Sequence, residues 1–251
     1  MKRLTALYST TVGKKAVVAI TGILLYGFVL LHMLGNLKVF TGNVAAGEHA
    51  GEPHIDIYAE FLRTMGEPLF PYSFILWTVR IVMLLALILH IYTVIQLAVR
   101  NRKARQTRYA EYKQIEASTP ARLMLVSGFL LLAFLLFHLL QFTFGVVGGS
   151  PFVEGKVYAN LYYAFGKWYF VLLYVIVMAA LAQHVSHGVW SLFQTLGLDN
   201  PDRNRALRLL ATLSAVALFV GFASVPVLFY LGVMPQPPEQ GLEQIISGGG
   251  N

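Results

Sequence analysis

The chain has 251 residues, 57% of them hydrophobic and 12% charged, with a formal net charge of +7 and no cysteine. A soluble domain carries about a quarter charged residues, so this composition belongs to an integral membrane protein. The absence of cysteine excludes disulfides, cysteine-ligated iron–sulfur clusters and haem attached through C-x-x-C-H.

A bilayer span needs about 20 mostly apolar residues. The first such run, Ala16–Leu37, is too long for the apolar region of a cleavable signal peptide and holds no Asp, Glu, Lys or Arg. Four more follow: residues 72–99, with Arg80 as their one charge, then 123–144, 168–196 and 209–233, all uncharged. Each is predicted to be a helix, because a helix satisfies its own backbone in lipid. The expected fold is an all-α integral membrane protein of five transmembrane helices over residues 1–234. Residues 235–251, opening on Pro-Gln-Pro-Pro and ending in glycines, are expected to form a flexible outer tail. Tyr72, Trp77, Trp168, Tyr169, Trp190 and Tyr230 lie near span ends, where an interfacial aromatic belt accounts for them.

Lysine and arginine set the orientation. Lys2, Arg3, Lys14 and Lys15 precede the first span, seven more lie in Arg100–Arg122 and three in Asp199–Arg208. The opposite connections carry two each and the tail none. The N-terminus is therefore expected in the cytoplasm and the tail outside. The net positive charge reflects this asymmetry and gives no reason to expect a nucleic-acid partner.

Four histidines lie deep inside the first four spans: His32, His90, His138 and His184. Histidine is costly in hydrocarbon and marks a functional site by default. His32 follows Lys15 by 17 residues and His138 follows Arg122 by 16, about 25 Å from the inner boundary in each case. His90 precedes Arg100 by 10 and His184 precedes Leu196 by 12, roughly 15–18 Å from that boundary. Depth thus gives an outer pair, His32/His138, and an inner pair, His90/His184, separated by roughly 7–10 Å. Each pair could clamp a planar iron complex between two helices. His187 lies one turn beyond His184 and suits the inner depth equally well. No Asp or Glu lies within the spans, which argues against a carboxylate relay and for neutral bis-imidazole haem sites. Helices one to four would then form a haem-binding bundle. His49 and His54 read as loop residues.

Arg80 lies near the level of the outer pair. Two readings fit it: partner of a haem propionate, or a cation snorkelling to the outer surface. Lys38 and His187 are further candidates for propionate contact. Arg63, at the outer edge, is another.

Two stretches carry a wider resemblance. One is Gly13-Lys14-Lys15 leading to Leu31-His32-Met33-Leu34-Gly35-Asn36. The other is Gln183-His184-Val185-Ser186-His187-Gly188-Val189-Trp190 running to Leu196-Gly197. With the order of spans and histidines, the chain resembles the single-subunit, five-helix, dihaem cytochrome b anchors of succinate:quinone oxidoreductases and fumarate reductases, over nearly its whole length. The resemblance implies two haem b, a distal one on His32 and His138 and a proximal one on His90 and His184. The glycine four residues after His184, followed by Val189 and Trp190, selects it over His187. It further implies that the chain anchors succinate dehydrogenase in a bacterial cytoplasmic (inner) membrane. Electrons would pass from an iron–sulfur subunit to a quinone, menaquinone in this class, at the outer side, where Glu60, Arg63 and Glu67 are the candidates for quinone contact or proton exchange. Dicarboxylate chemistry would lie on a flavoprotein subunit, and higher oligomers of the complex are implied. Some members place a carboxylate beside the fourth ligand. Here Ala182, Gln183 and Val185 stand there, so a proton path through that position is not expected. Cytochrome b subunits of hydrogenases or formate dehydrogenases would share bis-histidine haems. A haem-free anchor would be colourless, and a transporter should show repeats and broken helices.

Overall fold

A computed structural model describes residues 2–104, 119–149 and 152–238. Their elements are all helical: α1 (Lys2–Ser9), α2 (Thr11–Leu37), α3 (His54–Thr64), α4 (Phe74–Ala104), α5 (Thr119–Phe142), α6 (Val157–Phe165), α7 (Trp168–Thr195) and α8 (Pro201–Tyr230). Five of these, α2, α4, α5, α7 and α8, are long and apolar enough to cross a membrane. Their outward residues are large and apolar: Leu31, Leu85, Phe129, Leu172 and Val220 are all more than half exposed. Such continuous apolar surface is untenable in water and natural in lipid. The chain is an all-α, multi-pass membrane protein.

Four of the five long helices outrun the expected spans at one end, and α7 matches its span to one residue. α4 has 31 residues, about 46 Å of helix against a hydrocarbon core of about 30 Å. The fifth helix begins at Pro201 rather than at residue 209, because its start is set by a cap. Asn200 accepts from the Asp202 amide at 3.0 Å, and Pro201 stands at the first helical position, where its fixed φ and missing N–H cost nothing. Charge marks the membrane edge, whereas capping marks the helix end.

α7 and α8 pack most extensively. α2 pairs with α4, α5 pairs with α7, and α8 also reaches α2. Close approach of α2 and α8 requires Gly221, where a Cβ would collide with the Met33 side chain. Small residues serve this purpose at membrane helix interfaces.

The short helices close the two ends. At one end Thr10 caps α2 by accepting from the Gly13 amide at 2.9 Å. Lys14 is only 5% exposed; its ammonium donates to Gln96 Oε1 and stands 3.9 Å over the Tyr8 ring. Tyr8 donates to the same Gln96 oxygen at 3.1 Å. At the other end α3 and α6 meet where Asp56 Oδ1 accepts from the Tyr158 amide at 2.8 Å. Tyr158 Oη donates to the Pro235 carbonyl at 2.9 Å, so the first residues of the expected tail lie against α6. Residues 239–251 of that tail, and residues 105–118 of the basic connection, lie outside the described residues.

Candidate functional site

The outer histidines meet. The His32 and His138 ring centroids are 6.0 Å apart with planes nearly perpendicular. Their helices, α2 and α5, do not pack closely on each other, and neither do α4 and α7. Each expected pair therefore draws its two histidines from helices that are not close neighbours. His32 keeps accessible surface, and its ring lies beside those of Phe28, Phe222 and His138. Two imidazoles bound through nitrogen to one metal, at about 2.0 Å per bond, put their centroids roughly 6 Å apart.

Hydrogen bonds orient three of the four rings. His138 Nδ1 is 3.1 Å from Tyr174 Oη, which donates its proton to Gln141 Oε1 at 2.8 Å. His90 Nδ1 is 3.0 Å from Thr21 Oγ1, which donates to the Val17 carbonyl at 2.8 Å. His184 Nδ1 is 3.2 Å from Ser127 Oγ, which donates to the Met124 carbonyl at 3.1 Å. Each hydroxyl has spent its proton on another acceptor, so it accepts from Nδ1–H. The neutral ring then carries its free lone pair on Nε2, as a metal-ligating histidine does. His187 differs: its buried Nδ1 has no partner among the described residues.

The hydroxyls also register the helices. Thr21 lies eleven residues before His32, and Ser127 eleven before His138. On both helices the inner and outer levels are thus roughly 16 Å apart. This corrects the 7–10 Å drawn from span boundaries. Boundaries guessed from charge err by several residues, while a hydrogen bond between helices fixes their register directly.

The donor set fits a haem and not a small-ion site. Among the described residues no group of three or more His, Asp and Glu side chains could hold a metal ion. A structural zinc site needs four protein ligands. A haem iron has its other four nitrogens from the macrocycle, so two imidazoles per centre suffice.

The remaining expected residues lie near the α3 end. The Arg80 guanidinium is exposed and stacks 4.9 Å over the Trp77 ring, with no ion pair among the described residues. Lys38 Nζ lies 5.2 Å over the Tyr58 ring. Arg63 is on α3, bonding the Ala59 carbonyl at 2.8 Å and pairing with Glu154 at 3.8 Å. Glu60 accepts from Tyr72 Oη at 3.4 Å, and Glu67 is exposed in the turn after α3. His49 lies in the loop with Nδ1 3.5 Å from Glu52, whereas His54, expected in the loop, is the first residue of α3 and bonds the Gly42 carbonyl at 2.9 Å.

Reading the spans singly overlooks Thr21, Ser127, Tyr174 and Gln141. The signal lay in comparing spans one and three. Thr21-Gly22 and Ser127-Gly128 each stand at the same distance before a histidine, and Phe28 and Phe134 each lie four residues before it. Both phenylalanines stack on that histidine, at 5.6 and 5.8 Å. Compared with protein-family models, curated proteins and solved structures, the chain matches none.

Proposed function

We propose that this chain is the dihaem cytochrome b subunit that anchors a succinate:quinone oxidoreductase in a bacterial cytoplasmic membrane. The observation that carries the reading is the meeting of the His32 and His138 rings within the bundle, together with the Nδ1 hydrogen bonds of His138, His90 and His184, which leave Nε2 free to ligate. His32 and His138 would hold the outer haem b, and His90 and His184 the inner one. What favours His184 over His187 is its bond to Ser127, which repeats the bond of His90 to Thr21. When bound, each haem supplies a one-electron centre, and two levels of them span the distance between an iron–sulfur subunit and a quinone.

The rest of the chain supports this assignment by position. Arg100, Arg102, Lys103, Arg203, Arg205 and Arg208 are exposed at the end of the bundle near the inner pair, as a cytoplasmic docking face for the iron–sulfur and flavoprotein subunits requires. Arg80 and Lys38, free of ion pairs among the described residues, are the proposed propionate partners at the outer level. His187, with its unpartnered Nδ1, is the proposed donor at the inner level. Menaquinone is the proposed electron acceptor, near Glu60, Arg63 and Glu67.

The experiment is a haemochrome assay on the purified chain. Two haem b per chain are expected, falling to about one in His90→Ala. A colourless wild-type protein overturns the function, and a full b-type spectrum in His90→Ala overturns the ligand assignment. Co-purification with dicarboxylate-oxidising subunits separates this reading from cytochrome b subunits of a hydrogenase or formate dehydrogenase.

A further inference from the structure

The bundle is built from two hairpins with one internal plan. α2 and α5 carry the same unit: a hydroxyl residue, a glycine, then a phenylalanine and a histidine at matched distances. The hydroxyl and the glycine of each unit lie against the histidine of the next long helix. A Cβ placed on Gly22 would stand 3.7 Å from His90 Cε1, and one on Gly128 3.6 Å from His184 Cε1. Thr21 and Ser127 are 4% and 3% exposed, so neither hydroxyl exchanges its imidazole partner for solvent. The glycine lets the ring lie close against the helix, and the hydroxyl beside it takes the Nδ1 proton.

We infer that Thr21 and Ser127 are the positioning residues of the inner histidine pair, and that they tune the redox potential of the centre this pair holds. The inference rests on the haem reading above. An acceptor on Nδ1–H makes the imidazole more electron-donating, which stabilises the oxidised iron it ligates. The hydroxyl also restricts rotation of the ring about its Cβ–Cγ bond. Neither residue touches the iron or the macrocycle in this role; both act through the imidazole.

The test is a redox titration of the purified holoprotein, with haem stoichiometry measured on the same sample. Thr21→Val keeps the shape of the side chain and removes the acceptor. The expected result is two haems per chain, an upward shift in the midpoint potential of the inner haem, and an unmoved outer haem. Thr21→Ser restores the hydroxyl and is expected to restore the potential, which a merely structural role for the methyl would not do. Ser127→Ala is the smaller change and carries the test if Thr21→Val assembles poorly. Unmoved potentials in a variant that retains both haems overturn the inference and leave the haem reading standing. Equal shifts of both haems also overturn it. A wild-type chain without haem overturns the function instead, so the two failures are distinct.

Discussion

The hairpin α2–α4 and the hairpin α5–α7 follow one plan at the inner level and part company at the outer level. At the inner level Thr21 holds His90 and Ser127 holds His184 through the same kind of bond. At the outer level the equivalent positions, ten residues before the inner histidine, are Arg80 in the first hairpin and Tyr174 in the second. Tyr174 is buried and ties His138 to Gln141. Arg80 is exposed, stacks on Trp77, and leaves His32 to its aromatic neighbours Phe28 and Phe222. Matching steps along paired helices preserve a level in the bundle. What stands at that level decides whether it fixes a ring or offers a charge. The inner centre is therefore symmetric in its supports, and the outer one is not.

The largest test of this comparison removes one ligand from each hairpin. His90→Ala and His184→Ala are expected to lose the same haem, about half the total, because the proposed inner haem needs both ligands, while His187→Ala keeps both. Retention of two haems in His184→Ala, with loss in His187→Ala, would reverse the assignment; the haem-to-protein ratio reads either result.

The next effect concerns how α8 braces the hairpins, directly through α2 in the first and through α7 in the second. Gly221→Leu forces bulk into the space of Met33 and should cost about 3 kcal/mol by overpacking. Thermal unfolding in detergent measures it, and an unchanged midpoint would mean that α2 and α8 are not held at that contact.

Tyr174→Phe sharpens the outer asymmetry. It strands His138 Nδ1–H and Gln141 Oε1 in a buried place, a loss of about 2 kcal/mol. The outer haem should shift in potential and the inner should not. Arg80→Gln, at the equivalent step, should leave the His138 chain intact.

The smallest effect lies outside the membrane. Burial raises the Asp56 carboxyl above its usual range, against the opposing pull of the Tyr158 amide and Lys156. A raised value in the folded state means that its contribution to stability is full below the ordinary carboxylate pKa of about 3.9 and is lost as pH rises through the raised value. Stability of the outer cap is thus expected to fall from acid toward neutral pH. Asp56→Asn should flatten that slope, as thermal midpoints against pH would record; an unaltered slope removes Asp56 as its source.

Much of this architecture is legible in the order of residues. Five long apolar runs, four of them uncharged and one holding only Arg80, read as spans, because they are long enough to cross a bilayer and too apolar for water. Four histidines inside such runs stand out because each is costly there. The short helices α3 and α6 were not legible, since their apolar faces are brief and their partners distant: Asp56 caps Tyr158 from across the outer end. The 16 Å between levels was not legible either, because charge counts locate the membrane edge and not the contact between helices.

Composition and periodicity by themselves determined the class of protein, the number of spans and the residue types able to bind a metal. Tertiary structure alone decided which nitrogen is free on His90, His138 and His184, that His184 and not His187 is held by a hydroxyl, and which hydroxyls hold the inner pair. The reason is physical. Hydrophobic burial is a property of each segment, whereas a hydrogen bond to Nδ1 needs a second helix at one register, and no single segment contains that information.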